Sequence, residues 1–322
     1  NNTFQIAASR MQDDSDVPKG REISEQLMIA CCNLRAPTNI PVAKFLKKLS
    51  HLNLNDRRID NMAKISVCKS LKNLYLYNNN IRVIEGIDKF KNLTHLYLEN
   101  NKISQIEGLP EGCLQKLYLN ENDIEVIENL DRASNLTELH VASQRLPPYQ
   151  PLRFAPSVID TIASSLLVLN IANNNIDTVV DVLKLPNLEK LNMSRNKISN
   201  IDMCLALMQL ENLRELDLRG NPAAKMPKYT ENLIANSPNY LAKLDGKDII
   251  ENHRTMLKNL VAFKSRGMMV NGGRYEEQDE NEYGMARDHS NINLGGTGIN
   301  PDPEGGWGSA EGALDYVGGE FR

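Results

Sequence analysis

The stretch that decides the fold is Leu71-Lys72-Asn73-Leu74-Tyr75-Leu76-Tyr77-Asn78-Asn79-Asn80-Ile81. Its recurring residues spell Leu-x-x-Leu-x-Leu-x-x-Asn-x-Ile, and the same pattern begins at eight leucines, Leu49, Leu71, Leu93, Leu114, Leu136, Leu166, Leu188 and Leu213. Six of the eight copies keep the asparagine, whereas the first has Arg57 and the fifth has Gln144. Eight copies, most of them about 22 residues apart, indicate a chain built from repeated structural units.

The pattern is that of a leucine-rich repeat. Within each copy the Leu-x-Leu alternation predicts a short strand, so that Leu74 and Leu76 face the core while Tyr75 and Tyr77 face outward. The asparagine follows the strand, where its amide can pair with backbone groups at the turn and stack with its counterparts in neighbouring copies. Because one copy buries too little apolar surface to fold alone, the copies must stack into one extended domain.

The segment after each turn carries apolar residues at intervals of three, as in Ile81, Ile84, Ile87 and Phe90. This spacing predicts 3₁₀ or short helical turns on the convex side. The expected fold class is therefore an α/β solenoid, a leucine-rich-repeat arc with a parallel concave sheet and helical caps at both ends.

The sequence predicts four segments: an amino-terminal segment with a helical cap (1–48), eight repeats with a carboxy-terminal cap (49–248), a helix (249–266) and a glycine-rich acidic tail (267–322). The amino-terminal cap is indicated by apolar residues at helical spacing, Ile23, Leu27, Cys31 and Leu34. The helix offers four apolar residues for packing on the cap, Ile250, Leu257, Leu260 and Val261. We expect the tail to be extended or disordered without a partner.

The tail differs from the rest of the chain in charge. It holds 11 acidic and 3 basic residues, a net charge of −8, so the total of −4 leaves +4 on residues 1–266. Its acidic run, residues 275–283, is either a solvated segment or a contact for a basic partner. In the repeats, basic and acidic residues are mixed, and we therefore expect no nucleic-acid partner.

The fifth copy is longer than the others, at 30 residues. Its additional residues include Leu146-Pro147-Pro148-Tyr149-Gln150-Pro151, and a helix is predicted from Ser157 to Ser165. Additional residues in a solenoid form outward loops. This loop is either a tolerated insertion or a second contact point.

Several classes of function find no support in the sequence. The histidines lack a nucleophile motif, metal-ligand spacing or a phosphate-binding glycine loop, so we expect no enzyme, no cofactor and no metal site. The five cysteines are scattered and mostly stand at apolar repeat positions, which is typical of reduced packing thiols. No apolar run approaches the roughly 20 residues of a membrane helix, and a signal-peptide core is lacking, so we expect a cytoplasmic protein with no membrane partner.

A protein partner on the concave face is the remaining expectation. The candidate binding residues are the outward strand positions of copies two to five, Asn73, Tyr75, Tyr77, His95, Tyr97, Glu99, Lys116, Tyr118, Asn120, Glu138 and His140. Tyr75, Tyr97 and Tyr118 occupy one column in adjacent copies, with His140 next, so their rings should stack. Tyrosine also suits strands for packing reasons alone, but exposed aromatic rings with polar tips are common anchors of protein interfaces.

Several longer motifs resemble the leucine-rich regulatory subunits of type-1 protein phosphatase. They are Asn92-Leu93-Thr94-His95-Leu96-Tyr97-Leu98, Glu138-Leu139-His140-Val141 with Gln144-Arg145-Leu146-Pro147, and Leu169-Asn170-Ile171 with Asn173-Asn174-Asn175-Ile176-Asp177. The resemblance covers roughly residues 49–262. It implies a noncatalytic adaptor that binds the type-1 phosphatase catalytic subunit, with tubulin or axonemal proteins as further partners, at the cytoskeleton of the centrosome, cilium or axoneme.

One further segment approximates a phosphatase-docking sequence, with one residue too many: Lys258-Asn259-Leu260-Val261-Ala262-Phe263. Because that docking mode adds an extended strand to the enzyme, we expect this segment to pack as a helix instead. Apart from the phosphatase adaptor, the chain could be a structural ciliary or axonemal component with no direct phosphatase role, or a nuclear ribonucleoprotein adaptor.

Overall fold

The computed structural model describes residues 21–32 and 39–270, with the backbone alone over 264–270. The described strands are β1 (Arg21–Glu22), β2 (His51–Asn53), β3 (Ile59–Asn61), β4 (Asn73–Tyr75), β5 (His95–Tyr97), β6 (Lys116–Tyr118), β7 (Val126–Ile127), β8 (Glu138–His140), β9 (Arg153–Phe154), β10 (Val168–Asn170), β11 (Lys190–Asn192), β12 (Glu215–Asp217), β13 (Lys243–Leu244) and β14 (Lys247–Asp248). The described α-helices are α1 (Glu25–Cys31), α2 (Val42–Leu46), α3 (Pro156–Ile162), α4 (Ile201–Ala206), α5 (Tyr229–Asn236) and α6 (Glu251–Val270). Short 3₁₀ helices lie at Ala63–Val67, Val182–Lys184, Leu207–Gln209 and Pro222–Lys225.

The repeats form one sheet of ten strands within the described part of the chain, in the order β14-β13-β12-β11-β10-β8-β6-β5-β4-β2. All neighbours are parallel except β13 and β14. The inward leucines pair directly, as Leu74 does with Leu96, and this register continues through the longer fifth copy, where Leu139 pairs with Leu169. The predicted solenoid of eight repeat strands is therefore confirmed.

The recurring asparagines form the predicted ladder along the turns. Asn101 is representative: its Oδ1 accepts from the Ile81 amide at 3.0 Å, while its Nδ2 donates to the carbonyls of Leu76 at 2.9 Å and Leu98 at 3.0 Å. Each such side chain thus ties its own turn to the preceding copy. The asparagines that do this are all buried, Asn79, Asn101, Asn122, Asn174, Asn196 and Asn221.

Gln144 replaces the asparagine in the fifth copy without interrupting the ladder. Its Oε1 accepts from the Ile124 amide at 3.0 Å, and its Nε2 donates to the Leu119 carbonyl at 2.8 Å. The longer side chain therefore makes the same bonds to the preceding copy as an asparagine does. In the first copy, by contrast, Arg57 is exposed.

The residue before each ladder position adopts a left-handed backbone conformation in all eight copies. These residues have φ between +49° and +76°, and they are Asp56, Asn78, Asn100, Glu121, Ser143, Asn173, Arg195 and Gly220. The side chains of the first three form an exposed chain of hydrogen bonds, with Asn78 Nδ2 donating to Asp56 Oδ1 at 2.9 Å and Asn100 Nδ2 to Asn78 Oδ1 at 3.0 Å. The left-handed conformation is unfavourable for residues other than glycine, asparagine and aspartate, so Glu121 and Arg195 occupy strained positions.

The amino-terminal end is closed by α1 and α2, as predicted. Ser24 caps α1 by accepting from the Leu27 amide at 3.1 Å, and Met28 is buried against the first repeat, where the Cys68 thiol lies 3.5 Å from its sulfur. The parallel pairing of β1 with β3 adds a contact that the sequence did not indicate. Leu34, which was assigned to this cap, lies outside the described residues.

The carboxy-terminal end is closed by α5, the β13–β14 turn and α6. Of the four apolar residues expected to pack on the cap, Leu257 is buried, whereas Ile250, Leu260 and Val261 are exposed. The prediction that these three pack on the cap was therefore wrong, and the other buried side chain in the described part of the helix is that of Arg254.

The buried Arg254 side chain binds the chain that follows α5. Its guanidinium donates to the Pro238 carbonyl, to the Leu241 carbonyl at 2.5 Å and to Ser237 Oγ at 3.1 Å, while its Nε lies 3.0 Å from Glu251. A buried arginine needs such partners to offset its loss of hydration.

The insertion in the fifth copy is partly an outward loop. Tyr149 at its tip is 98% exposed, but Leu152 returns to the core and β9 pairs with β7 on the convex side. The helix that follows spans Pro156–Ile162 rather than Ser157–Ser165.

The five cysteines are free thiols, with Cys68 and Cys204 buried. Among the described helices, none is both long and apolar enough to cross a membrane. Residues 267–270, which were assigned to the tail, continue the backbone of α6, and the rest of the predicted tail lies outside the described residues. The division into four segments stays a prediction.

Candidate partner-binding face

The aromatic column of the concave sheet is formed by the last residues of β4, β5, β6 and β8. The ring centroids of Tyr75 and Tyr97 are 4.6 Å apart, those of Tyr97 and Tyr118 are 4.6 Å apart, and those of Tyr118 and His140 are 4.5 Å apart. Neighbouring rings are tilted by 12° to 20°. The parallel register sets this spacing, since it places equivalent side chains about 4.8 Å apart. The predicted stack is therefore confirmed, and we call these four residues the aromatic column.

The aromatic column is less exposed than the sequence suggested. Tyr97 and Tyr118 are 9% and 8% exposed and His140 is 4% exposed, whereas Tyr75 at the end of the column is half-buried. The expectation of exposed rings was wrong for the inner three, because each ring covers the face of its neighbour. A partner would contact the ring edges and the end of the column at Tyr75.

An ionic cluster around Glu138 supports the inner end of the column. Lys116 Nζ lies 2.8 Å from Glu138 Oε2, and Tyr118 Oη donates to Glu138 Oε1 at 2.7 Å. His140 Nε2 lies 2.9 Å from the same oxygen, and because a carboxylate only accepts, this nitrogen carries the proton. His140 Nδ1 then faces Asn170 Nδ2 at 3.5 Å. The sequence predicts these residues only as separate outward positions and does not indicate that they form a cluster.

The cluster shifts the ionisation of its members. Burial by itself would raise the pKa of Glu138, but the hydrogen bonds from His140, Lys116 and Tyr118 together lower that pKa to about 2. Burial, together with the bond to Glu138, raises the pKa of Tyr118, and burial raises the pKa of Tyr97 to about 12. The face therefore presents a carboxylate beside neutral phenols at neutral pH.

Glu99 differs from Glu138 in having few partners. Its Oε2 is buried and accepts no hydrogen bond within the described structure, and burial raises the pKa of the carboxyl to about 7, with a smaller contribution from Glu121. It lies in the column beside the aromatic one. A carboxyl in this environment is close to half-protonated at neutral pH.

The remaining predicted residues surround the aromatic column. Asn73 Nδ2 donates weakly to Tyr75 Oη at 3.4 Å, and Asn120 Oδ1 accepts from the Ala142 amide at 2.8 Å. His95 is half-buried, and burial followed by the nearby Lys116 lowers its pKa. Tyr77 is half-buried in the same column as Glu99. All eleven predicted residues therefore lie on one continuous part of the concave sheet.

The carboxy-terminal half of the same face has a different surface. At the column positions that follow His140, the side chains of Asn170, Asn192 and Asp217 accept from the backbone amide two residues further on, at 3.0 to 3.2 Å. Asp217 is also paired with Arg219. These short side chains bond to their own turns, so the aromatic surface ends at β8.

Two further features concern possible ligands. Within the described residues there is no group of three or more histidine, cysteine, aspartate or glutamate side chains that could hold a metal ion. A polar cleft of about 400 Å³ lies at the turn edge, lined by Asn78, Asn100, Lys102, Asp123 and Arg145 among others. The sequence did not indicate this cleft, because its lining comes from three copies and from the start of the insertion.

Comparison with known proteins gives the repeat type. A family model described as leucine-rich repeats in two copies matches residues 69–111, 164–206 and 186–228. Internalin C2 from Listeria monocytogenes str. 4b F2365 is 20% identical, with a TM-score of 0.48 over 63% of this chain and 88% of that one. A leucine-rich-repeat protein from Leptospira interrogans is 25% identical, with a TM-score of 0.47 over 67% of this chain, and the match spans 60% of that protein. The repeat matches, the in-register sheet and the asparagine ladder identify the fold as a leucine-rich-repeat solenoid, a kind of domain that generally serves as a noncatalytic module for protein–protein interaction.

Proposed function

We propose that this chain is a noncatalytic adaptor that holds the catalytic subunit of type-1 protein phosphatase on the aromatic half of its concave face. The observation that carries the proposal is the aromatic column, locked at one end by the ionic cluster around Glu138. As an adaptor, the chain would bring the phosphatase to a microtubule structure such as the centrosome, cilium or axoneme.

The aromatic half of the face is preorganised for binding. Stacking and hydrogen bonds already hold the rings of Tyr97, Tyr118 and His140, so a partner would not have to order these side chains. Loss of side-chain freedom is a major cost of association, and surfaces that avoid it bind more tightly for the same area. The half-buried rings of Tyr75 and His95 give such a partner its apolar contact.

The choice of phosphatase rests on the resemblance of three motifs to its leucine-rich regulatory subunits, and most narrowly to protein phosphatase 1 regulatory subunit 42. Two of these motifs supply the candidate face. Asn92–Leu98 contains β5 with His95 and Tyr97, and Glu138–Val141 contains β8 with Glu138 and His140. The resemblance therefore falls on the strands that build the aromatic column as well as on the core leucines.

The conformation of the alternative docking segment, residues 258–263, argues against that segment as the phosphatase contact and so favours the concave face. It lies within α6, as expected, so it cannot add to the enzyme as an extended strand. Its apolar side chains do not pack on the cap, however, because Leu260, Val261 and Phe263 are exposed.

A binding assay with the purified type-1 phosphatase catalytic subunit tests the proposal. The double variant Tyr75→Ala with His95→Ala removes the accessible apolar contact and should weaken binding by roughly tenfold or more, since interface anchors contribute about 2 kcal/mol or more each. Lys190→Ala, at a first strand position in the other half of the face, is the matched control and should bind normally. Unchanged affinity of the double variant would contradict the concave site.

Cellular material distinguishes this proposal from the structural alternative. An adaptor should bring phosphatase into immunoprecipitates from ciliary extracts. Retention of the chain in salt-washed axonemes that lack the phosphatase, together with no binding in the purified assay, would instead favour a structural axonemal component.

A further inference from the structure

Helix α6 packs on the cap through residues in its first two turns. Arg254 and Leu257 are buried and Lys258 is half-buried, but Asn259 and the apolar residues that follow are exposed. The helical backbone nevertheless continues to Val270. The side chains from Asn259 to Phe263 therefore lie at the surface of the molecule.

This helix carries an apolar ridge, formed by Met256, Leu260 and Phe263. The three side chains are 58%, 49% and 76% exposed. They stand at positions i, i+4 and i+7, which share one face of a helix. Leu257 is one residue, or about 100°, further round the helix from Met256. The ridge and the docked face are thus different faces, and the ridge can be occupied while α6 stays on the cap.

The ridge is unusual for this chain. Elsewhere in the described residues, the large exposed apolar side chains are well separated, whereas Met256, Leu260, Val261 and Phe263 fall within eight residues of one helix. Contiguous exposed apolar surface is characteristic of binding sites. Three anchors at i, i+4 and i+7 on a preformed helix correspond to the mode in which a helix binds in an apolar groove.

The charge of α6 restricts the kind of groove. Arg254 and Glu251 pair with each other on the cap, and the rest of the helix, residues 258–270, contains three basic residues, Lys258, Lys264 and Arg266, and no acidic one, which gives a net charge of +3. A second copy of the helix would bring like charges together, which disfavours self-association through this face. A groove with an acidic rim would be complementary.

We propose that the ridge of α6 is a docking helix for a calcium-loaded EF-hand sensor. Calcium opens such a sensor and exposes an apolar, methionine-rich groove, and basic amphipathic helices are its usual targets. Leu260 and Phe263 enter the groove, and the positive charge of this half of the helix is complementary to its acidic rim. Calcium thereby controls the association of the chain with a second protein at a surface separate from the concave face.

Titration of the full-length chain with fluorescently labelled calmodulin tests the proposal. Binding is expected with calcium and is lost in EDTA. Leu260→Glu and Phe263→Glu should each weaken binding by roughly tenfold or more, because each removes a buried anchor and adds a charge of the wrong sign. Val180→Glu is the matched control, since Val180 is also 58% exposed but lies in the repeats. It should leave the affinity unchanged.

Several results would overturn the proposal. One is the absence of a complex at about 100 μM calmodulin with calcium, a concentration that detects even weak association. Binding that persists in EDTA, or that Val180→Glu weakens as much as Leu260→Glu does, would also contradict it. If calmodulin fails to bind while α6 retains the chain on phosphatidylserine vesicles, the ridge is a membrane contact. Ultracentrifugation that shows a dimer disrupted by Leu260→Glu, again without calmodulin binding, would assign the ridge to self-association.

Discussion

At the level of single residues, the two concave glutamates show how the same side chain behaves in different surroundings. Glu138 accepts bonds from Lys116, Tyr118 and His140 and stays ionised far below neutral pH. Glu99 is two copies and two columns away, and the burial of its carboxyl outweighs the backbone bond that stabilises its charge. The charge of each glutamate on this face is therefore determined by its hydrogen-bond partners more than by its position on the sheet.

Glu99→Gln should stabilise the fold at alkaline pH. The folded pKa of about 7 exceeds the ordinary value of 4.5, so the folded chain holds more protons between these pH values and its stability falls as pH rises through that window. Because glutamine cannot ionise, the variant does not lose stability in this pH range. Unfolding by urea should show the variant more stable than the wild type at pH 8 and equal to it at pH 4.

The control for this prediction is Glu107→Gln, at an exposed carboxylate outside the concave face. It should leave the pH dependence of stability unaltered. If Glu99→Gln is no more stable than the wild type at pH 8, the carboxylate has a partner in solution that offsets its burial.

At the level of the elements, the convex turns restrict which residues can occupy them more tightly than the strands do. Gly108 has φ +62°, and a Cβ there would lie 2.2 Å from the Ile84 carbonyl oxygen of the preceding copy. Gly86 stands at the equivalent position, where a Cβ would meet the Ala63 carbonyl oxygen at 2.6 Å. In the next copy Asn129 adopts φ +56° and donates to the Ile106 carbonyl at 2.8 Å. The turn thus requires a left-handed residue, and two of these three copies also require the absence of a Cβ.

Gly108→Ala and Gly112→Ala separate these two requirements. Gly112 has a similar φ of +67°, but a Cβ there would meet no atom within 4 Å. Alanine at 112 should therefore lower the free energy of unfolding by about 1 to 2 kcal/mol, from backbone strain alone. Alanine at 108 should cost clearly more, because the backbones of two copies must also move apart. Equal losses in a thermal or urea unfolding series would show that the turn relaxes without cost.

The elements also show what the sequence could and could not predict. The strands, the ladder and the ring stacking followed from periodicity, since residues such as Leu74, Asn101 and Tyr97 repeat at fixed offsets. The left-handed position before each ladder residue did not, because Glu121 and Arg195 carry no local preference for it. The Glu138 cluster and Arg254 were missed because their partners come from other strands or segments, and those pairings depend on side-chain directions.

At the level of the whole molecule, each repeat is stabilised by contact with its neighbours, and the caps cover the apolar surfaces of the two end repeats. Arg254 joins α6 to the chain after α5 through the carbonyls of Pro238 and Leu241, of which the first also accepts from the Leu241 amide. Arg254→Met should leave the Leu241 carbonyl without this donor and cost about 1 to 3 kcal/mol. Hydrogen exchange should then accelerate first in β12 to β14 and leave β4 and β5 nearly unchanged.

Lys258→Met is the control for this change, because Lys258 is half-buried and its bond to Asn239 is exposed. It should leave exchange in β12 to β14 as in the wild type. Uniform acceleration across all the strands of the Arg254 variant would mean that the arc unfolds as one unit, contrary to the expectation that it frays from the end.

Because the register of the sheet is unbroken, the number of strands between two surfaces determines the distance between them. Five strand-to-strand steps separate β6, which carries Tyr118, from β13 in the carboxy-terminal cap, and each step spans about 4.8 Å, so the two lie about 24 Å apart along the sheet. A change in the number of intervening copies would alter this distance in fixed increments without altering either surface. Two proteins bound at the aromatic column and at α6 would thus be held at a separation counted in whole repeats.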